Sequence, residues 1–204
     1  MQLLSPPIAI STSFTAESRL LLSAVSWQRY EQLLETFGTD FPALRLSYLE
    51  GELEIMSTSR LHEELKTMIA LLLEAYFIEM DIWFHGIGAA TLRRFESARG
   101  LEPDECYCFG SVKDFPDLAV EVVVTSGLVD KLEIYRGLGT SEVWVWDYPS
   151  DRFTIHHLRD SGYEILGKSE LLPNCDVGLL TLHVKPNEQF AMIKAYRKAL
   201  RSGY

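Results

Sequence analysis

Two acidic residues and a lysine in the middle of the chain have types and spacing that could do chemistry: Asp104 in EPDECYCF, Glu121 in FPDLAVEVVV and Lys131 in LVDKLEIYR. Glu121 interrupts an aliphatic run, where a carboxylate is costly to bury unless something compensates it. With a second carboxylate on a nearby strand, it suits a hard divalent cation bound through oxygen ligands. A lysine beside them would complete a site for cutting phosphodiesters.

The geometry of a strand restricts which acids can act together. Asp117, Ala119, Glu121 and Val123 would share one face, and Leu118, Val120, Val122 and Val124 the other. Asp117 and Glu121 are then roughly 13 Å apart, at about 3.3 Å per residue, too far to ligate one small ion. Glu121 needs a partner from another element, and Asp104, opening the preceding strand, can supply it. Lys131, among apolar residues of the following helix, can aim its ammonium at the C-terminal end of the Glu121 strand. Ordinary readings stand beside these. Asp104 follows Pro103, as turn residues do, and Asp117 follows Pro116, where the turn reading is preferred. Lys131 could pair with Asp130, Glu121 or Glu133 as a helix lysine.

The elements that must position these groups follow from periodicity. Residues 1–22, rich in Ser, Thr and Pro, read as a flexible arm, with a single domain over 23–204. Ser26 caps a helix through Phe37, closed by Gly38. LRLSYLEGELEIM alternates about a Glu50–Gly51 turn and predicts a hairpin. Ser57 and Ser59 precede a helix with the stripe Leu61, Leu65, Met68, Leu72 and Tyr76. Short strands are expected near 82–84 and 89–93, then a polar loop, a strand from Asp104 and a buried strand over about 117–124. A helix over 128–138, closed by Gly139, leads to the strand EVWVWD in a right-handed parallel crossover. DRFTIHHL and GYEILGK predict a terminal hairpin, and residues 186–201 a last helix.

Composition narrows the function classes. The 204 residues are 47% hydrophobic, with four Trp, nine Tyr and ten Phe, enough for a large core. No run reaches the roughly 18 apolar residues of a membrane helix, and the N-terminus lacks a signal-peptide pattern, so a cytoplasmic location is expected. Cys106, Cys108 and Cys175 include no CxxC pair and read as small buried hydrophobes. The net charge of −10 argues against a generic polyanion binder. Lys194, Arg197, Lys198 and Arg201 share a helical face, read as either solvated or in contact with nucleic acid. HEELK at His62 fails the HExxH pattern, because residue 66 is lysine. Glu64 is a further candidate acid of the site, and His156 and His157, on opposite strand faces, read as structural.

With these residues placed, the chain resembles the Uma-two family, a bacterial family described as restriction endonucleases, within the PD-(D/E)XK nuclease superfamily. The matching text is YLEGELEIMS, TLRR…EPDECYCFG and FPDLAVEVVVTSGLVDKLEIYRGLGTSEVWVWD, over about residues 25–185. The resemblance implies an α/β (α+β) fold: a mixed β-sheet flanked by helices, restriction-endonuclease-like. It implies that Asp104 is the metal-binding Asp and Glu121 the acid of the third motif. The superfamily lysine usually stands two residues after that Glu, where this chain has Val123, and Lys131 would replace it from the adjacent helix. MSTS and TSG stand where many members have a Ser-Pro turn.

The expected function is a metal-dependent endonuclease acting on DNA, using Mg2+ or Mn2+, with Asp104, Glu121 and Lys131 catalytic. A homodimer would let a chain of this size address both strands. The alternative is a catalytically inactive nuclease-fold module that binds nucleic acid or protein.

Overall fold

The computed structural model describes residues 17–41 and 43–203, and for 38–40 the backbone alone. Eleven strands among the described residues form two sheets. The first has five strands, β1 (Ser18–Leu22), β2 (Leu44–Leu49), β3 (Glu52–Ser57), β5 (Leu92–Arg94) and β6 (Arg99–Leu101), in the order β1-β3-β2-β6-β5. The second has six: β4 (Phe84–Gly86), β7 (Glu105–Phe109), β8 (Leu118–Val123), β9 (Glu142–Asp147), β10 (Arg152–Arg159) and β11 (Gly162–Leu166). Its order is β11-β10-β9-β8-β7-β4, with β8 and β9 parallel and the other pairs antiparallel. The fold class is therefore mixed α/β as expected, but its strands divide between two sheets.

Helix α1 (Trp27–Asp40) is capped by Ser26, whose side chain accepts from the Arg29 amide, and it runs past Gly38 to Asp40. The β2–β3 hairpin turns at Glu50 and Gly51, both with positive φ, the two-residue turn that matches strand twist. Helix α2 (Arg60–Glu79) is capped by Ser59. Helix α3 (Lys131–Leu138) is capped by Asp130 and closed by Gly139 in the left-handed region. Helices α4 (Val177–Leu182) and α5 (Gln189–Arg201) follow the β10–β11 hairpin. No helix of the described residues is long and apolar enough to cross a membrane.

Strand β8 lies between two cores. Leu118, Val120 and Val122 pack toward Leu65, Met68 and Leu72 of α2, with Trp144 and Trp146 from β9. Ala119 packs on the other side with Ile134, Tyr135 and Leu138 of α3. The alternation read from the sequence is thus realised, with Glu121 on the α3 side. A third cluster joins α1, through Tyr30, to Leu46, Tyr48 and Leu53 of the hairpin.

Two further sequence expectations fail. Residues 18–22, read as part of a flexible arm, form β1, which pairs with β3 from Ser18 opposite Ser57 to Leu22 opposite Leu53. Residues 1–16 of that arm lie outside the described residues. The polar loop before Asp104 contains β6, which joins β2 to β5. Its Arg99 is buried and donates to the Glu133 and Ser97 carbonyls, so a polar sequence fills an interior position.

Candidate active site

Strands β7 and β8 pair antiparallel with Glu105 opposite Val120 and Cys106 opposite Ala119. Asp104, one residue before this ladder, therefore stands at the position facing Glu121. Its Oδ2 accepts from the Val122 amide at 2.7 Å, which ties it to β8. Both carboxylates are buried, Asp104 at 1% and Glu121 at 3% exposure.

Lys131, the first residue of α3, donates from Nζ to Glu121 Oε2 at 2.6 Å. The Tyr135 hydroxyl donates to Glu121 Oε1. The parallel β8–α3–β9 crossover lays α3 over the Glu121 face, which is why residues four apart on the helix reach one carboxylate. Burial pushes the Glu121 carboxyl up, and the Asp104 charge adds to this, against the bonds from Lys131 and Tyr135. Burial works to lower the Lys131 ammonium, but Glu121 and Asp104 together raise it and keep it charged. Burial would also raise Asp104; His62, Lys131 and the Val122 amide outweigh it and hold Asp104 at about 2.

Besides Tyr135, the structure brings in four residues that were not among the sequence candidates. His62 is fully buried, with Nε2 2.8 Å from Asp104 Oδ1 and Nδ1 2.8 Å from Glu17 Oε1. Burial alone would lower the His62 pKa, yet its two carboxylate partners raise it to about 9. Arg19 donates from Nη1 to Glu54 Oε1 at 2.7 Å and from Nη2 to the Thr125 carbonyl at 3.0 Å. Glu54, 1% exposed, also accepts from the Leu128 amide. A signal for two of these exists in the text. His62 falls on the helical stripe of Leu65, Ile69, Leu72 and Tyr76, and Glu54 alternates with the buried Met56.

The other sequence candidates lie elsewhere. Asp117 accepts from the Phe109 amide at 2.8 Å and from Lys113, so it closes the β7–β8 connection. Glu64 turns to Arg60 at 2.7 Å and does not join the acids. His157 bonds Glu142, while His156 is partly buried. The three cysteines are buried free thiols. On α5, Arg197 and Arg201 pair with Glu79 of α2, which occupies half of the basic face.

A cleft of about 200 Å³ opens beside this group, lined in part by Arg19, Glu121, Gly127, Lys131 and Tyr135. The family model described as "Uma2: Putative restriction endonuclease" matches residues 27–179. The chain belongs to this family. A solved structure described as "a putative nuclease belonging to DUF820 from Anabaena variabilis ATCC 29413" is similar at 12% identity, with a TM-score of 0.45. That likeness covers 72% of this chain and 90% of the other. No curated protein matches the chain. The Uma2 match spans Asp104, Glu121 and Lys131 but begins after Glu17 and Arg19.

Proposed function

We propose that this member of the Uma2 family is a metal-dependent endonuclease that hydrolyses phosphodiester bonds in DNA. The observation that carries the reading is the facing pair Asp104 and Glu121, with Lys131 bonded to the latter at 2.6 Å. DNA as the substrate rests on the family's description as a restriction endonuclease.

The residues present fit a divalent cation. Among the described residues, Glu17, Glu54, Asp104 and Glu121 meet three cations, Arg19, His62 and Lys131, so this group of described residues carries an excess of negative charge in a poorly solvated place. Among the described residues, no three His, Cys, Asp or Glu side chains group as metal ligands. Mg2+ does not require three, because it keeps several waters and takes one or two protein carboxylates. Each carboxylate oxygen of Asp104 and Glu121 retains a lone pair beyond the bonds described.

Asp104 and Glu121 would hold Mg2+ or Mn2+. Such an ion, when bound, polarises a phosphate and acidifies a coordinated water. His62 and the Val122 amide hold the Asp104 carboxylate from two sides. Tyr135 fixes Glu121 and leaves the Lys131 side chain, 20% exposed, facing the cleft. From there its ammonium would orient the attacking water or offset charge developing on the phosphoryl oxygens. A homodimer would bring two such sites to the two strands of a duplex.

Incubating the purified protein with supercoiled plasmid and Mg2+ or Mn2+, beside Asp104→Ala, Glu121→Ala and Lys131→Ala, tests this. Nicking or linearisation by the wild type alone is expected. Cleavage that survives both acid substitutions, or none with either metal, overturns it. The net charge of −10 favours the second reading, an inactive nuclease-fold module, and the latter result would point there.

A further inference from the structure

We infer that the N-terminal segment, β1 with the residue just before it, is a working part of this site: Glu17 positions Asp104 through His62, and Arg19 positions the segment leading to Lys131. The inference rests on the metal-site reading above and extends it to residues outside the Uma2 match, which starts at residue 27.

His62 has two ring nitrogens, and each is 2.8 Å from a carboxylate, Glu17 on one side and Asp104 on the other. The imidazole is fully buried, so water cannot replace either partner. With the Val122 amide on its second oxygen, Asp104 is anchored at both ends of its carboxylate. Outer partners of this kind fix a ligand's orientation, and losing them typically lowers metal affinity 10–100-fold.

Glu17 has a second task. Its Oε2 accepts from the Thr125 amide at 3.2 Å, from the Thr125 hydroxyl, and from Arg19 Nη2 at 3.3 Å. Arg19 in turn holds the Thr125 carbonyl and Glu54, and Glu54 holds the Leu128 amide. Residues 125–128 are exposed and pack little of their own surface, so these polar bonds hold them, while buried Val129 anchors the end of the run before Lys131. Pairing of β1 with β3 accounts for the strand's backbone. It does not account for Glu17 reaching His62 of α2, or for Glu17 and Arg19 both reaching Thr125 beyond the end of β8.

The full chain and the variants Glu17→Gln, Arg19→Met and Leu20→Ala, each shown folded by circular dichroism, provide the test. Leu20 is on the same strand, 54% exposed and outside the network, and controls for strand pairing. Calorimetric titration with Mn2+ is expected to show roughly 10–100-fold weaker binding for Glu17→Gln and no change for Leu20→Ala. Amide hydrogen exchange is expected to quicken at Val122 in Glu17→Gln and at Leu128 in Arg19→Met. Wild-type Mn2+ affinity and wild-type protection at Val122 in a folded Glu17→Gln overturn the inference. If the wild type takes up no Mn2+, the metal reading falls, and exchange alone decides: unchanged protection at Val122 and Leu128 overturns the positioning role, and faster exchange upholds it.

Discussion

Glu121 on β8 and Lys131 at the start of α3 form a 2.6 Å ion pair in which the carboxylate is almost wholly removed from water. Breaking such a pair from one side leaves an uncompensated buried charge, which costs about 3–5 kcal/mol. Lys131→Met is therefore expected to lower the urea-unfolding free energy by up to that amount, and Lys131→Met with Glu121→Gln by less than the two single losses summed. Strict additivity would show that the two groups do not depend on each other.

The Tyr135 hydroxyl is the other partner of Glu121. Tyr135→Phe removes a hydrogen bond to a charged acceptor, worth about 1.5–3 kcal/mol. A loss of that size in chemical denaturation is expected, with cleavage reduced. A stability within about 0.5 kcal/mol of wild type, the usual spread for surface changes, would contradict the bond.

His62 makes stability depend on pH. Its pKa is raised to about 9 by Asp104 and Glu17, so it contributes stability that is fully present below its unfolded value near 6.5. That contribution is lost as pH rises toward about 9. Asp104, held at about 2, acts in the opposite sense: its share is present above about 3.9 and lost as pH falls toward about 2. The melting-temperature difference between wild type and His62→Gln should be largest between about pH 4 and 6.5, where the acids are ionised and the imidazole is charged, and shrink by pH 9. A difference that stays constant across that window would mean His62 is not charged in the fold.

Metal binding should appear as stabilisation. At a Mn2+ concentration 100 times its Kd, linkage adds about 2.7 kcal/mol, and the melting temperature should rise accordingly. EDTA should abolish the rise, and Asp104→Ala and Glu121→Ala should lack it. An equal rise in both variants would place the ion elsewhere.

Glu142 separates a structural buried acid from the proposed working ones. Its oxygens accept from Trp144 Nε1, Ser169 Oγ, His157 Nδ1 and the amides of Glu170 and Leu171. Glu142→Gln turns one acceptor into a donor facing donors, and a loss of about 1–3 kcal/mol is expected. Mn2+ affinity of the folded variant should not change; a weakened affinity would tie Glu142 to the site.

Much of this site's skeleton was legible in the text. The aliphatic run around Glu121, the Gly139 stop and the alternation of β8 were enough to put Glu121, Lys131 and Asp104 on converging elements, because strand and helix periods are local properties of the chain. What remained hidden was long-range. His62 reads as an unremarkable helix residue until Asp104, 42 residues later, and Glu17, 45 residues earlier, meet its two nitrogens. Residues 18–22 carry a weak strand signal, and their strand is paired with β3, which is distant in sequence.

Local sequence thus determined which elements form, which face of β8 carries Glu121, and that a lysine would approach it. Tertiary structure alone decided that the strands divide into two sheets and that the N-terminal strand reaches the acids. It also decided that each buried carboxylate meets a cation or an amide. The reason is physical: periodicity is set by neighbouring residues, whereas a buried charge is compensated by whatever the finished fold brings within hydrogen-bond reach.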